Sequence, residues 1–149
     1  MLLMTPDTLQ DERKDKHFLA LEPNVDDAFL IKRALVKFCS VFVCRNIGEA
    51  RAYLNGAGQY SDRLNNPFPD GVITELRLGT ESGLEFIEYV RTTPELSRLP
   101  IVVLHGGSSP NAIEAARRFG VKSVFCKPSE IAELKSILAT IANDLCAFD

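Results

Sequence analysis

The stretch Pro69-Asp70-Gly71-Val72-Ile73-Thr74-Glu75-Leu76-Arg77-Leu78, running on to Gly83-Leu84-Glu85-Phe86, decides how the rest of this 149-residue chain is read. Val72 to Thr74 are β-branched and carry no charge, the pattern of a short strand buried on both faces. Glu75 stands where that strand must end, ahead of a loop and the helical spacing Leu84, Ile87, Val90. In open parallel α/β sheets, ligands and chemistry gather at the carboxyl ends of strands, where strand tips and helix N-termini open together. A carboxylate at the tip of a buried central strand is therefore either a working group or a costly one.

Working outward, His17 to Leu21 reads as a first buried strand, broken by Glu22-Pro23-Asn24. Val25-Asp26-Asp27 opens a helix whose positive end suits the two acids, with Ala28, Ile31, Leu35 and Phe38 as its apolar stripe. Ser40 to Cys44 is a second strand, and Asn46 caps a short helix carrying Ile47, Ala50 and Leu54. The connection from Gly56 to Pro69 is long for its place and implies a partner contact or structure of its own. Beyond the central strand, Ile101 to Leu104 is a fourth strand ending at His105-Gly106-Gly107. Ser109 with Pro110 starts a helix with Ala112, Ala116 and Phe119 inward, and Gly120 stops it. Val121 to Cys126 is a fifth strand ending in Lys127-Pro128, before a last helix from about Ser129 with Ile131, Leu134, Leu138, Ile141 and Leu145 in line. Ile137 lies off that line and leaves room for a partner helix or a homodimer contact. Strand and helix alternate five times, the pattern of an α/β domain with a parallel sheet and helices on both faces. Residues 1–16 are polar and aperiodic, a poorly ordered lead-in to a single domain over 17–149.

Composition sets the bounds on function. With 46% hydrophobic and 25% charged residues and a net charge of −3, the chain has no basic excess for nucleic acid or an anionic membrane surface. No apolar run is long enough to span a bilayer, and Met1-Leu2-Leu3-Met4 is too short for a signal peptide. Cys39, Cys44, Cys126 and Cys146 are widely spaced, and with His17 and His105 they form no metal-ligand pattern. The expectation is a cytoplasmic protein with free thiols.

Four strand tips carry polar groups: Glu22, Glu75, His105 and Lys127. Together with Asn24-Val25-Asp26-Asp27-Ala28-Phe29-Leu30-Ile31, Gly58-Gln59-Tyr60-Ser61-Asp62-Arg63, Gly83-Leu84-Glu85-Phe86, Pro94-Glu95-Leu96 and Lys127-Pro128, they make the stretch from His17 to about Leu145 resemble a bacterial response-regulator receiver domain. The resemblance is nearest to the stand-alone receivers that partner phytochrome-type histidine kinases. It implies a doubly wound, CheY-like (flavodoxin-like) five-stranded parallel sheet of order 2-1-3-4-5, and a cis Lys127–Pro128 peptide.

The family's chemistry uses two acids after the first strand, a phosphoacceptor aspartate on the third, a Thr or Ser after the fourth and a Lys after the fifth. The acids bind Mg²⁺ through oxygen ligands. Carried over position by position, Glu22 matches the first acid and Pro23 replaces the second. Glu75 replaces the acceptor, His105 replaces the Thr or Ser, and Lys127 is unchanged. Val124 stands where many receivers have a switching aromatic, and Gly79 where a Pro usually follows the acceptor loop.

Glu reaches about 1.5 Å further than Asp, roughly one carbon–carbon bond. A misplacement of about 1 Å can cost on the order of a hundredfold in a positioning-dependent reaction. Glu75 is thus expected to be the phosphoacceptor-equivalent that pairs with Lys127, with Mg²⁺ binding weak or absent and no other cofactor. The pair reads either as an imitation of the phosphorylated state or as a relic salt bridge. His105 reads as a pocket-rim residue or a pH-sensitive contact to Glu75, and Ser108-Ser109 as the cap of the next helix.

These features point to a non-enzymatic, atypical receiver that contacts a sensor histidine kinase or a downstream signalling protein. A phosphorelay receiver accepting phosphate by an altered route, and a small-ligand binder using the emptied acidic pocket, are the alternatives. His105-Gly106-Gly107 has the look of a lipase oxyanion loop, but the G-x-S-x-G elbow is missing.

Overall fold

The computed structural model describes residues 16–146. The reading of a poorly ordered lead-in falls, apart from Lys16, outside the described residues. Five parallel strands, β1 (His17–Leu21), β2 (Ser40–Cys44), β3 (Gly71–Thr74), β6 (Ile101–His105) and β7 (Ser123–Cys126), form one sheet in the order β2-β1-β3-β6-β7. Taken as the five principal strands, this is the order 2-1-3-4-5. The register sets Leu19 between Phe42 and Val72, and Ile73 opposite Val102.

Because side chains alternate across a strand, each buried strand feeds both faces. Leu19, Leu21, Val72, Ile101 and Val103 pack under α2 (Ile47–Asn55), α3 (Gly83–Thr92) and α4 (Pro110–Arg118). Phe18, Ala20, Ile73, Val102 and Leu104 pack under α1 (Val25–Leu35) and α5 (Ile131–Cys146). Asn24, Asn46, Ser82 and Ser109 cap α1 to α4 through their side-chain oxygens, and Pro110 takes the first position of α4.

Several expectations shift in detail. Between β3 and α3 the loop folds into an antiparallel hairpin, β4 (Arg77–Leu78) and β5 (Glu81–Ser82). Its two-residue turn opens on Gly79 at φ 71°, the positive φ that a mirror-image hairpin turn needs. The hairpin leads so directly into α3 that a Cβ on Gly83 would lie 2.8 Å from the Cα of Leu76 and collide with the carbonyl of Glu75. Leu134, Leu138, Ile141 and Leu145 are buried as read, but Ile131 at the start of α5 is 57% exposed. Ile137, off that buried line, packs against the same core and stays partly exposed. Phe38 lies past the end of α1 and is likewise partly buried. The connection from Gly56 to Pro69 does carry structure: a 3-10 turn at Gly58–Tyr60, and the Arg63 guanidinium donating to the carbonyls of Leu54 (2.8 Å) and Asn66 (3.1 Å).

At the amino end of the sheet a neutral network is buried. His17 is 8% exposed, with Nδ1 2.7 Å from Ser40 Oγ and Nε2 2.6 Å from Tyr53 Oη. The Tyr53 hydroxyl donates its one proton to the carbonyl of Pro67 at 2.9 Å, so Nε2 must be the donor to Oη and Nδ1 the acceptor from Ser40. Burial lowers the His17 pKa, with the charge of Asp70 pulling the other way.

Candidate functional site

The site is built where β1, β3 and β7 end together at the carboxyl edge of the sheet. Glu22 follows β1 and Glu75 follows β3; both are buried, at 2% and 5% exposure. Lys127 follows β7, its backbone N–H fixed to the carbonyl of His105 at 2.6 Å. The Lys127–Pro128 peptide is trans, since no cis bond occurs among the described residues. The expected cis bond is thereby corrected: trans is the intrinsically preferred form by roughly 0.5–1 kcal/mol, and Lys127 reaches the pocket without leaving it.

The ammonium of Lys127 lies 2.5 Å from Glu22 Oε1, 2.8 Å from Glu75 Oε2 and 2.9 Å from Asp27 Oδ2. An ammonium has three N–H donors, and three carboxylates stand around it. The approach to Glu75 Oε2 is short but poorly directed as a hydrogen bond, so that contact is an ion pair first. The other oxygen of Glu75 accepts the backbone N–H groups of Arg77 and Gly106, each at 3.3 Å. Glu22 accepts the N–H of Asn24 at 3.1 Å. Arg77 closes the edge, its guanidinium donating to the carbonyl of Gly106 at 3.1 Å.

The electrostatics follow from this crowding. Burial works against the charge on Lys127, but its bonds to Glu22, Glu75 and Asp27 outweigh burial and hold its pKa above the ordinary lysine range. Burial raises the Glu22 pKa, opposed by the hydrogen bonds from Lys127 and from the Asn24 N–H and reinforced by the like charge of Glu75.

Three of the four expected residues therefore meet. His105 is the exception. Its Nδ1 accepts the N–H groups of Gly107 and Ser108, each at 3.1 Å, so its ring proton sits on Nε2 and the imidazole staples its own loop. The backbone of Gly106, one residue on, is what touches Glu75. Ser109 is the helix cap as read.

Asp27 is the residue that spacing did not single out. An acid at the third position of a capped helix ordinarily reaches back to the N–H of the capping residue. Here that N–H, on Asn24, is already taken by Glu22, which frees the Asp27 carboxylate for Lys127. Resemblance to receivers implies Mg²⁺ in this pocket, but the residues present do not fit it. The point where the carboxylate oxygens converge is filled by an ammonium, and Pro23 offers no side-chain oxygen. Among the described residues no group of three or more His, Cys, Asp or Glu side chains is placed to hold a metal.

Comparison with known proteins agrees with the fold. The family model described as "Response regulator receiver domain" matches residues 24–139. The chain is 25% identical over 138 residues to the two-component response regulator ARR17 of Arabidopsis thaliana, covering 91% of this chain and 90% of the relative. It is 25% identical over 131 residues to response regulator Rcp1 of Synechocystis sp., covering 86% and 87%. Among solved structures, the phosphorylated cyanobacterial phytochrome response regulator RcpA superposes with a TM-score of 0.78 at 27% identity, covering 86% of this chain and 91% of that one.

Proposed function

The chain belongs to the response regulator receiver domain family of two-component signalling, and from that premise we propose that it is an atypical member acting by protein–protein contact without ordinary aspartyl phosphorylation. The observation that carries this reading is the state of Lys127. In a receiver this group is there to hold a phosphoryl oxygen; here its three donors face Glu22, Glu75 and Asp27. Glu75 stands at the acceptor position, one methylene longer than aspartate, and is tied by Arg77 and Gly106 as well as by Lys127. In-line phosphoryl transfer depends on positioning and on neutralising developing charge. This pocket offers an acceptor in the wrong place and a cation already engaged.

The partner is a sensor histidine kinase or a downstream signalling protein, met in the cytoplasm by a receiver domain spanning residues 17–149. Homodimerisation is a further element of the reading. The domain itself performs no catalysis, and the binding of a small ligand in the pocket is disfavoured because Lys127 fills the convergence point.

Incubation with acetyl phosphate and Mg²⁺, read by intact mass, is expected to leave the protein unmodified. A phosphorylated species would overturn the proposal and favour a phosphorelay receiver with an altered acceptor. As a positive control, the double replacement Pro23→Asp with Glu75→Asp is expected to gain labelling, because it restores a metal-binding acid and the shorter acceptor together.

A further inference from the structure

We propose that Asp27 is a positioning residue of this pocket: it takes over, from the first turn of α1, the negative charge that Pro23 does not supply, and so ties α1 to the tip of β7. The inference rests on the pocket being the functional centre, and it is independent of whether phosphorylation is lost.

Asn24 accepts the N–H of Asp27 at 2.9 Å, which sets the first turn of α1 and points the Asp27 side chain along the end of the helix. Glu22 takes the Asn24 N–H that a third-position acid would otherwise accept. The carboxylate is left to turn toward Lys127, 100 residues away in sequence, at 2.9 Å. Its neighbour Asp26, one position earlier in the same turn, is exposed and has the same sequence-level reason to be there, the helix dipole. Two adjacent acids thus separate into a solvated one and a pocket one.

The consequence is a connection. Lys127 is held from three directions: the β1 tip by Glu22, the β3 tip by Glu75 and α1 by Asp27. Anything that draws the ammonium outward, toward an anion at the pocket mouth, loosens its hold on α1. Asp27 thereby turns a charge change at the strand tips into a change in the tethering of a surface helix.

The test compares Asp27→Asn with Asp26→Asn, and Asp27→Glu as the conservative variant. Both Asn variants remove one charge from the same helix turn, so a role confined to the helix dipole predicts equal effects. The positioning role predicts that Asp27→Asn lowers the folding equilibrium constant roughly fivefold to tenfold, as for a partly buried ion pair, against under about twofold for Asp26→Asn. In a Lys127→Met background the cost of Asp27→Asn disappears, because the acid has no partner left to lose. Side-chain carboxyl NMR gives a second readout. The Glu22 titration midpoint falls in Asp27→Asn, since a nearby like charge is gone, and is unmoved in Asp26→Asn and in Asp27→Glu. Equal costs for the two Asn variants together with an unmoved Glu22 midpoint would overturn the proposal. Should Lys127→Met fail to fold, the Glu22 midpoint in Asp27→Asn decides alone.

Discussion

The two ends of β1 solve the burial of polar groups in opposite ways. At the amino end His17, Ser40, Tyr53 and the Pro67 carbonyl form a neutral hydrogen-bonded chain. At the carboxyl end one ammonium faces three carboxylates, so the balance of charge is left uneven. Burial acts on both. At the amino end it disfavours the protonated imidazole and keeps the network neutral. At the carboxyl end it is overridden by ion pairing, so the cluster stays charged at a cost in desolvation. The neutral chain is what a fold uses for fastening. An uneven cluster adds little net stability over a hydrophobic substitute, and its presence at the strand tips is better explained by what it does for the site.

The largest expected effect comes from removing the central cation. Lys127→Met leaves three acids facing one another in a pocket where Glu22 and Glu75 are nearly fully buried. Urea denaturation near neutral pH is expected to show a loss of about 3–5 kcal/mol, shrinking in mild acid as the stranded carboxylates take up protons. A loss of about 1 kcal/mol or less would place the cluster with solvated surface pairs and erase the contrast between the two ends.

At the opposite end, Tyr53→Phe deletes the hydroxyl that joins His17 to Pro67 and leaves a buried N–H and a carbonyl without their partner. The expected cost is about 1–3 kcal/mol. It should be insensitive to added salt, since no ion pair is involved. Salt-dependent destabilisation would mean the network is charged after all.

Next in size is the coupling within the cluster. Glu75→Gln and Lys127→Met should cost less together than the sum of the two alone, by an interaction of about 0.5–3 kcal/mol. Strict additivity in a denaturation cycle would show that the 2.8 Å contact carries no energy.

The smallest effect is in pH dependence, and the two ends differ in sign. His17 has a folded-state pKa below its ordinary 6.5, so the unfolded chain binds the proton first. Its contribution is therefore present above about 6.5 and is lost as pH falls through the lower folded value, with a slope of at most about 1.4 kcal/mol per pH unit. Glu22 is raised from 4.5, so the folded chain binds its proton first. Its contribution is fully present below 4.5 and fades as pH rises through the folded value. Replacing His17 with Gln should flatten the stability curve just below pH 6.5 and leave the Glu22 limb unchanged; an unaltered curve would show that His17 does not titrate with folding.

Much of this architecture is legible in the sequence itself. Apolar runs closed by Glu22-Pro23-Asn24 and by Arg45-Asn46 mark β1 and β2 to the residue, β1 buried along its whole length and β2 a half-exposed edge strand whose apolar residues still run unbroken. The sheet order came from family resemblance and not from periodicity. Glu22, Glu75 and Lys127 could be placed together because strand ends converge whatever the side chains do. Side-chain direction could not be read. His105 turned back on its own loop, and Asp27 left the helix end for the pocket, for reasons that lie in which backbone N–H was already taken. The β4–β5 hairpin escaped because two-residue strands are shorter than any periodic signal.

Gly83 gives the site a mechanical setting as well as an electrostatic one. The start of α3 rests on the backbone of Glu75 and Leu76 with no room for even a methyl group between them. The acid's position is thus gauged by a helix whose own charges never enter the pocket. An alanine at this one place would act like a shim, re-aiming the Glu75 carboxylate while leaving every ionisable residue of the protein in the sequence.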